Sequence, residues 1–327
     1  MAAPSPRPAR LLLIAMFASA APQDAPAQDG YPSKVVRIIV PTAPGGGSDT
    51  VARLIAQGLF ERMGRQVIVE NRAGAGTVIG SEMVAKALPD GYTLLLGTPP
   101  LTINPVLFRK LPYDALRDFA PVALAANAPS VLIVHPSVPA TSVKEMIALA
   151  RARPGEILFG SGGLGTHSHL AVVLFASMAQ IRMTHVPYKS GAPSLIDLMA
   201  GNIAVTATGV FTAMPYVRAG RVRVLGVTGA NRVPIAPEVP TVAESGVPGY
   251  ESVQWYGLLA PAGTPREIIA KLNREAVAVL RAPASRERIT GDGADVVAGT
   301  PEEFAGFLRT ETVKWAKVVG IAGIQPE

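Results

Sequence analysis

Short runs rich in valine and isoleucine alternate with helical stripes along most of this 327-residue chain, and that alternation limits the fold more than any single motif. Residues 34–40, 66–70, 92–97, 131–134, 156–159, 183–187, 203–207 and 222–227 read as strands bounded by Gly or Pro, with helical stretches between most of them. Such alternation builds an α/β fold with mostly parallel sheets, because a helix carries the chain back between parallel neighbours. With 49% apolar and 17% charged residues, the chain is long enough for two modest cores, so two lobes are expected. Ser142-x-x-Glu145, Thr264-Pro265-x-Glu267 and Thr300-Pro301-x-Glu303 mark helix starts. Residues 264–324 are mostly helical and are expected to pack back onto the first lobe.

The N-terminus has the three regions of a secretory signal: Arg7 and Arg10, an uncharged run over 11–21, then Ala25-Pro-Ala27. Cleavage is expected before Gln28, and the apolar run is roughly half the length of a membrane span. Arg7 and Arg10 are not adjacent, so the twin-arginine pattern is absent. There is no cysteine, which excludes disulfides, thiolate catalysis, cysteine zinc sites and lipid attachment at an N-terminal Cys. Removing residues 1–27 takes away two arginines and Asp24, so the formal charge falls from +6 to +5. That balance suits a solvated basic surface or small anionic ligands, and no nucleic-acid partner is expected.

Two strand-loop-helix units carry the chemistry. After 35–40 comes Pro41-Thr42-Ala43-Pro44-Gly45-Gly46-Gly47-Ser48-Asp49, followed by an apolar stripe at Val51, Leu54, Ile55 and Leu59. After 157–159 comes Gly160-Ser161-Gly162-Gly163-Leu164-Gly165-Thr166-His167, followed by Leu170, Val173, Leu174 and Met178. Each unit puts a helix N-terminus, with its unbonded N–H groups, at a glycine loop, which makes two anion seats. Gly46 and Gly47 are expected to supply positive φ or a close approach to the ligand. Four or so charge-assisted bonds of roughly 1.5–3 kcal/mol each are enough for micromolar binding after ordering costs.

Gly160, Gly162 and Gly165 form a literal G-x-G-x-x-G, the dinucleotide fingerprint. The acidic residue that should follow about twenty positions on is missing, since residues 166–196 contain no Asp or Glu. Gly74, Gly76 and Gly80 imitate the same motif as G-x-G-x-x-x-G. An exported NAD-dependent oxidoreductase is therefore the weaker alternative. No P-loop or nucleophile elbow is present, and His167 and His169 lack the partners of a metal site. His169 reads as a core or cap histidine bonded to backbone, and His167 as a ligand candidate. No catalytic residue, metal or cofactor is expected.

The segments "YPSKVVRIIVPTAPGGGSDTVARLIA", "VIVENRAGAGTVIGSEMVAKALPDGYTLLLGT", "DFAPVALAANAPSVLIVHPSVPA", "THVPYKSGAPSLIDLMAGNI" and "WYGLLAPAGTPREIIAKLNREAV" closely resemble the tripartite tricarboxylate transporter receptors, also called Bug solute-binding proteins. The likeness runs in order from Tyr31 to Ile324. It implies a two-lobed periplasmic binding protein of type II, with mostly parallel sheets flanked by helices and a ligand cleft between lobes 28–127 plus 253–327 and 128–252. It also implies a soluble, exported monomer that captures a small organic acid and delivers it to integral membrane transporter subunits. A receptor signalling through a membrane sensor protein is the alternative. The resemblance puts the ligand carboxylate between Thr42, Ala43, Gly46, Gly47, Ser48 and Asp49 on one side and Ser161, Gly162, Gly165, Thr166 and His167 on the other. Thr98, Tyr188 and Ser190 match further cleft positions. Where the family usually carries "MFD", this chain reads Thr206-Ala207-Thr208-Gly209, so a hydroxyl or small residue replaces a carboxylate and an acid without an amino group is expected, unless another acid such as Asp49 supplies the acceptor.

Overall fold

The alternation resolves into two sheet halves joined by one long strand that pairs in both. A computed structural model describes residues 30–291 and 293–321, with Phe211 as backbone only, so the signal-like segment 1–27 lies outside the described residues. In chain order the elements are β1 (Val36–Val40), α1 (Gly47–Met63), β2 (Val67–Asn71), α2 (Val78–Ala85), β3 (Thr93–Gly97), α3 (Pro100–Leu107) and β4 (Phe119–Val134). They continue with α4 (Val143–Ala152), β5 (Leu158–Ser161), α5 (His167–Ala179), β6 (Thr184–Pro187), α6 (Gly191–Met199), β7 (Val205–Gly209), α7 (Val210–Arg218) and β8 (Arg223–Val227). The last are β9 (Val253–Pro261), α8 (Arg266–Arg281), α9 (Pro283–Gly291), β10 (Asp295–Val296) and α10 (Pro301–Ile321).

The strand order is β2-β1-β3-β9-β4-β7-β5-β6, with β8 and β10 also on β4. As expected, β1 is parallel to β2 and β3, and β5 is parallel to β6 and β7. The long strands β4 and β9 are antiparallel to their neighbours and were not legible as strands of that length. From Phe119 to Pro129, β4 pairs with β9; from Ser130 to Val134 it pairs with β7 and β8. One strand thus serves both halves, and the change of partner falls at Pro129, which has no N–H to continue the ladder.

Helix α1 buries Val51, Ile55 and Leu59, as its stripe predicts. In α5, Leu170 and Leu174 are buried but Met178 is 39% exposed, and Val172 and Phe175 complete the buried face instead. Thr300 and Glu303 form a reciprocal capping box on α10. Thr264 does not cap α8, because its hydroxyl donates to Pro261 O. The expectation for the C-terminal block needs correcting. Phe304 and Leu308 of α10 pack with Ile39, Leu95 and Leu259, while Trp315, Val318 and Val319 join the core around Leu132, Leu170 and Phe175. Helix α10 therefore packs on both sheet halves.

Candidate functional site

The first glycine loop is held by a buried carboxylate. Asp49, in the first turn of α1, accepts from the Gly45 N–H at 3.0 Å, from Arg53 Nε at 3.0 Å and from Asn71 Nδ2 at 3.0 Å. The Arg53 guanidinium, aided by the Gly45 and Asn71 bonds, holds the Asp49 carboxyl below the usual carboxylate range despite the opposing effect of burial. Thr42 Oγ1 and Ser48 Oγ lie 2.6 Å apart. The first intrahelical bond of α1 runs from Thr50 N to Gly46 O, so the amides of Gly47, Ser48 and Asp49 are those that helix geometry leaves at the loop.

The positive φ sits one residue earlier than expected, at Gly45 with φ 86°, while Gly46 is extended at φ −89°. A Cβ on Gly46 would meet nothing, whereas one on Gly47 would collide with the Tyr256 hydroxyl. Gly47 is needed for close approach, but to the protein's own tyrosine.

The second loop is held by neutral groups. Ser161 Oγ donates to Gly163 O, accepts from Gly163 N and lies 2.7 Å from His185 Nε2. The Gly162 N–H donates to Ser168 Oγ at 3.0 Å, and Thr166 caps α5 by accepting from His169 N. His169 accepts from the Gly165 N–H at its Nδ1 and packs 4.1 Å from the His185 ring, with Phe159 stacked on both. Burial, with His185 adding to it, drives its pKa down to about 3. His169 is thus a core histidine bonded to backbone. The fingerprint glycines serve packing as well. A Cβ on Gly160 would strike Ile203 and Ser194, and one on Gly165, at φ 72°, would press on Leu107.

His167 stands where the chain crosses between halves. Its Nε2 lies 3.1 Å from Ser252 Oγ and its Nδ1 3.5 Å from Ser130 Oγ. Thr228 ties both crossing segments, bonding Ser130 through its hydroxyl and Ser252 through its carbonyl. Burial, with the Lys314 charge adding to it, lowers His167 to about 4, so the ring is neutral at pH 7.

Two cavities meet at His167 and Gln254. The larger, about 490 Å3, is lined by Gly46, Gly47, Ser168, Gly191, Thr208 and Val210 among others, and so by the first residues of α1, α5, α6 and α7. The smaller, about 330 Å3, takes Thr42, Thr98, Gly165 and Thr166. Among the described residues, neither lining contains Lys, Arg, Asp or Glu. Thr42, Gly46, Gly47, Thr98, Gly165, Thr166, His167 and Thr208 are therefore brought together on the cavity walls. Ala43, Ser48, Asp49, Ser161, Gly162, Tyr188 and Ser190 are not on those walls. The Tyr188 hydroxyl donates to Asp197 at 2.7 Å, and burial and that carboxylate push its pKa up to about 12. Sequence reasoning missed Gln254, Tyr256, Asn104 and Thr77. The first two lie on β9, just past the expected lobe boundary at 252/253.

This fold and this cleft define a class first: two α/β lobes flanking a cavity with no charged side chain among its described lining residues have the architecture of the periplasmic binding proteins. The structure is similar to that of Rpa4515 from R. palustris with adipate, at 39% identity and TM-score 0.79, covering 91% of this chain and 100% of that one. It is also similar to MatC from Rhodopseudomonas palustris with bound malate, at 33% identity and TM-score 0.76, covering 88% and 100%. Within that class, residues 51–324 match the tripartite tricarboxylate transporter family receptor, and the chain belongs to that family. The protein BugT of Bordetella pertussis is 37% identical over 316 residues, covering 96% of this chain and 97% of BugT. The family consists of solute-binding receptors, so the chain is a receptor and not an enzyme, which overturns the oxidoreductase alternative. Among the described residues, no helix is long and apolar enough to cross a membrane.

Proposed function

We propose that the cleft captures a small organic carboxylate and that the loaded receptor delivers it to a tripartite tricarboxylate-type membrane transporter. The observation that carries this reading is the convergence of four helix N-termini, those of α1, α5, α6 and α7, on a cavity with no charged side chain among its described lining residues. Each helix end favours an anion by about 0.3–1 kcal/mol, and each charge-assisted N–H bond by roughly 1.5–3 kcal/mol. Together they reach the ~8 kcal/mol of micromolar binding without an arginine. The adipate and malate in the two R. palustris structures agree with this chemistry.

The solute carries no amino group in this reading. A buried ammonium needs an acceptor carboxylate, Thr208 offers a hydroxyl, and Asp49 is already engaged by Arg53, Asn71 and Gly45. The lobes are 28–127 plus 253–327 and 128–252, supported by the partner change of β4 at Ser130 and the clip of Ser252 to Thr228. The receptor works as a periplasmic monomer, exported by removal of residues 1–27.

Mass spectrometry of the solute released when the purified protein is denatured tests the reading, followed by calorimetry with that solute. The expected result is a carboxylic acid without an amino group. An amino acid, an uncharged sugar or a cation bound at micromolar strength would overturn it.

A further inference from the structure

The two cavities that meet at Gln254 suit different ends of one solute. The starts of α1, α5, α6 and α7 open onto the larger. The start of α3 lines the smaller through Thr98 and Pro100, yet it offers no free amide there. Pro99 and Pro100 have no N–H, and the Leu101, Thr102 and Ile103 amides donate to Thr98 O and Pro99 O. From the start of α2 the described lining includes Gly76 and Thr77, which precede its first turn, and the Val78 N–H is taken by Ala75 O. Leu107, Phe108 and Leu164 make an apolar wall, and no Lys, Arg, Asp or Glu is among the described lining residues. An anionic group pushed into this chamber would leave water without a counter-charge.

Gln254 stands where the chambers join. Along β9, Val253 and Trp255 turn into the core, while Gln254 and Tyr256 turn to the cleft. Tyr256 abuts Gly47 at the start of α1, and Gln254 lies two residues away, roughly 7 Å along the strand. The Gln254 side chain is half-buried and lines both cavities. Among the described residues its amide has no hydrogen-bond partner, and it is not one of the buried polar groups sealed from water. The His167 ring beside it is already engaged by Ser252 and Ser130. A solute anchored at the helix starts of the larger cavity therefore meets, about 7 Å on, an amide with donors and an acceptor to spare.

We propose that Gln254 is a specificity-determining residue whose amide bonds a neutral oxygen-bearing group at the far end of the bound acid. The preferred solutes are then monocarboxylates ending in a hydroxyl or an amide, ahead of dicarboxylates of the same length. Bonds of ~1.5 Å in zigzag cover the distance along β9 with a chain of about six carbons. This rests on the carboxylate reading above and adds the chemistry of the tail.

Four six-carbon acids that differ at the far end test it: hexanoate, 6-hydroxyhexanoate, adipic acid monoamide and adipate. Calorimetry with the full receptor at pH 7 should show 6-hydroxyhexanoate and the monoamide binding about tenfold tighter than hexanoate, and adipate weaker than either. Gln254→Leu keeps the bulk and removes the amide, so it should erase the preference over hexanoate while hexanoate binds no more weakly than before. Gln254→Lys supplies the missing charge and should bring adipate above 6-hydroxyhexanoate. An unliganded thermal midpoint for Q254L close to that of wild type verifies that the variant folds, since no internal bond is lost. Wild-type affinity for hexanoate or adipate equal to that for 6-hydroxyhexanoate overturns the role of Gln254 and leaves the carboxylate seat standing. So does a preference that survives in Q254L, or a Q254K receptor that still ranks 6-hydroxyhexanoate above adipate. Binding of none of the four overturns the proposal too, and the retained-solute measurement decides the carboxylate reading separately.

Discussion

The two glycine loops occupy corresponding places after β1 and β5, yet they are held by opposite chemistry. The first is fixed by an ionised carboxylate, with Asp49 gathering Gly45, Arg53 and Asn71. The second is fixed by hydroxyls and neutral imidazoles, with Ser161, Thr166, Ser168, His169 and His185 satisfying its amides and carbonyls. The contrast teaches that a glycine motif records a backbone need without recording its cause. In the second loop the G-x-G-x-x-G glycines make room for Ile203, Ser194 and Leu107, and a dinucleotide has no part in it. It also means that acid should undo the two loops over different pH ranges.

The largest expected effect follows from that difference. His167 and His169 have folded pKa values lowered to about 4 and about 3 from the ordinary 6.5. Between pH 6.5 and about 4 the unfolded chain binds these protons and the folded chain does not, so stability falls as pH falls through that window. Each such histidine contributes a slope of about 1.4 kcal/mol per pH unit. Asp49 acts later: its lowered pKa means that its stabilising bonds are lost only as pH drops below the ordinary carboxylate value. Urea unfolding across pH 4.5–6.5 should show the histidine slope, and H169Q should reduce it by about one proton. A flat stability curve over that range would break the contrast.

A middle-sized effect separates the loops by salt. Asp49→Ala leaves the Gly45 N–H without its acceptor and the Asn71 amide with only the Thr42 carbonyl, and should cost about 1–3 kcal/mol in chemical denaturation. Ser161→Ala, its counterpart, should cost about 1 kcal/mol. Only the Asp49 effect should shrink in high salt, since only it contains an ion pair, and that pair has Arg53 half exposed. Equal losses with equal salt response would show that the loops are held alike.

How much of this was legible depends on the range of the interaction. Periodicity found β1 to β3 and β5 to β8, because each is a local run of branched residues. It lost β9 and most of β4, whose runs are interrupted by Pro121, Pro129 and Gly257. Pro121 sits at a register shift, Pro129 at the change of partner, and Gly257 makes room for the Phe304 ring from α10. Those causes are tertiary. At the site, residue type and position were readable, but orientation was not. Thr98 and Thr208 line the cavities, whereas Ser161 and Tyr188 turn their hydroxyls to His185 and Asp197.

The smallest effect sharpens the comparison by asking which loop lies nearer the solute's charge. Thr208 is on β7, beside the Gly209 cap of α7, and lines the larger cavity on the side of the second loop. Thr208→Asp puts a carboxylate among the same helix N-termini that would hold the ligand. It is therefore stabilised by the dipole it occupies and repels an incoming acid. If the ligand carboxylate is shared by both loops, calorimetry should show affinity for the cognate acid weaker by about tenfold, worth ~1.4 kcal/mol, while an amino acid of similar size gains. Unfolding free energy without ligand should stay within about 0.5 kcal/mol of wild type, because the site is half buried and solvated. An unchanged affinity would place the carboxylate at α1 alone, leaving the second loop to hold the shape of the cleft.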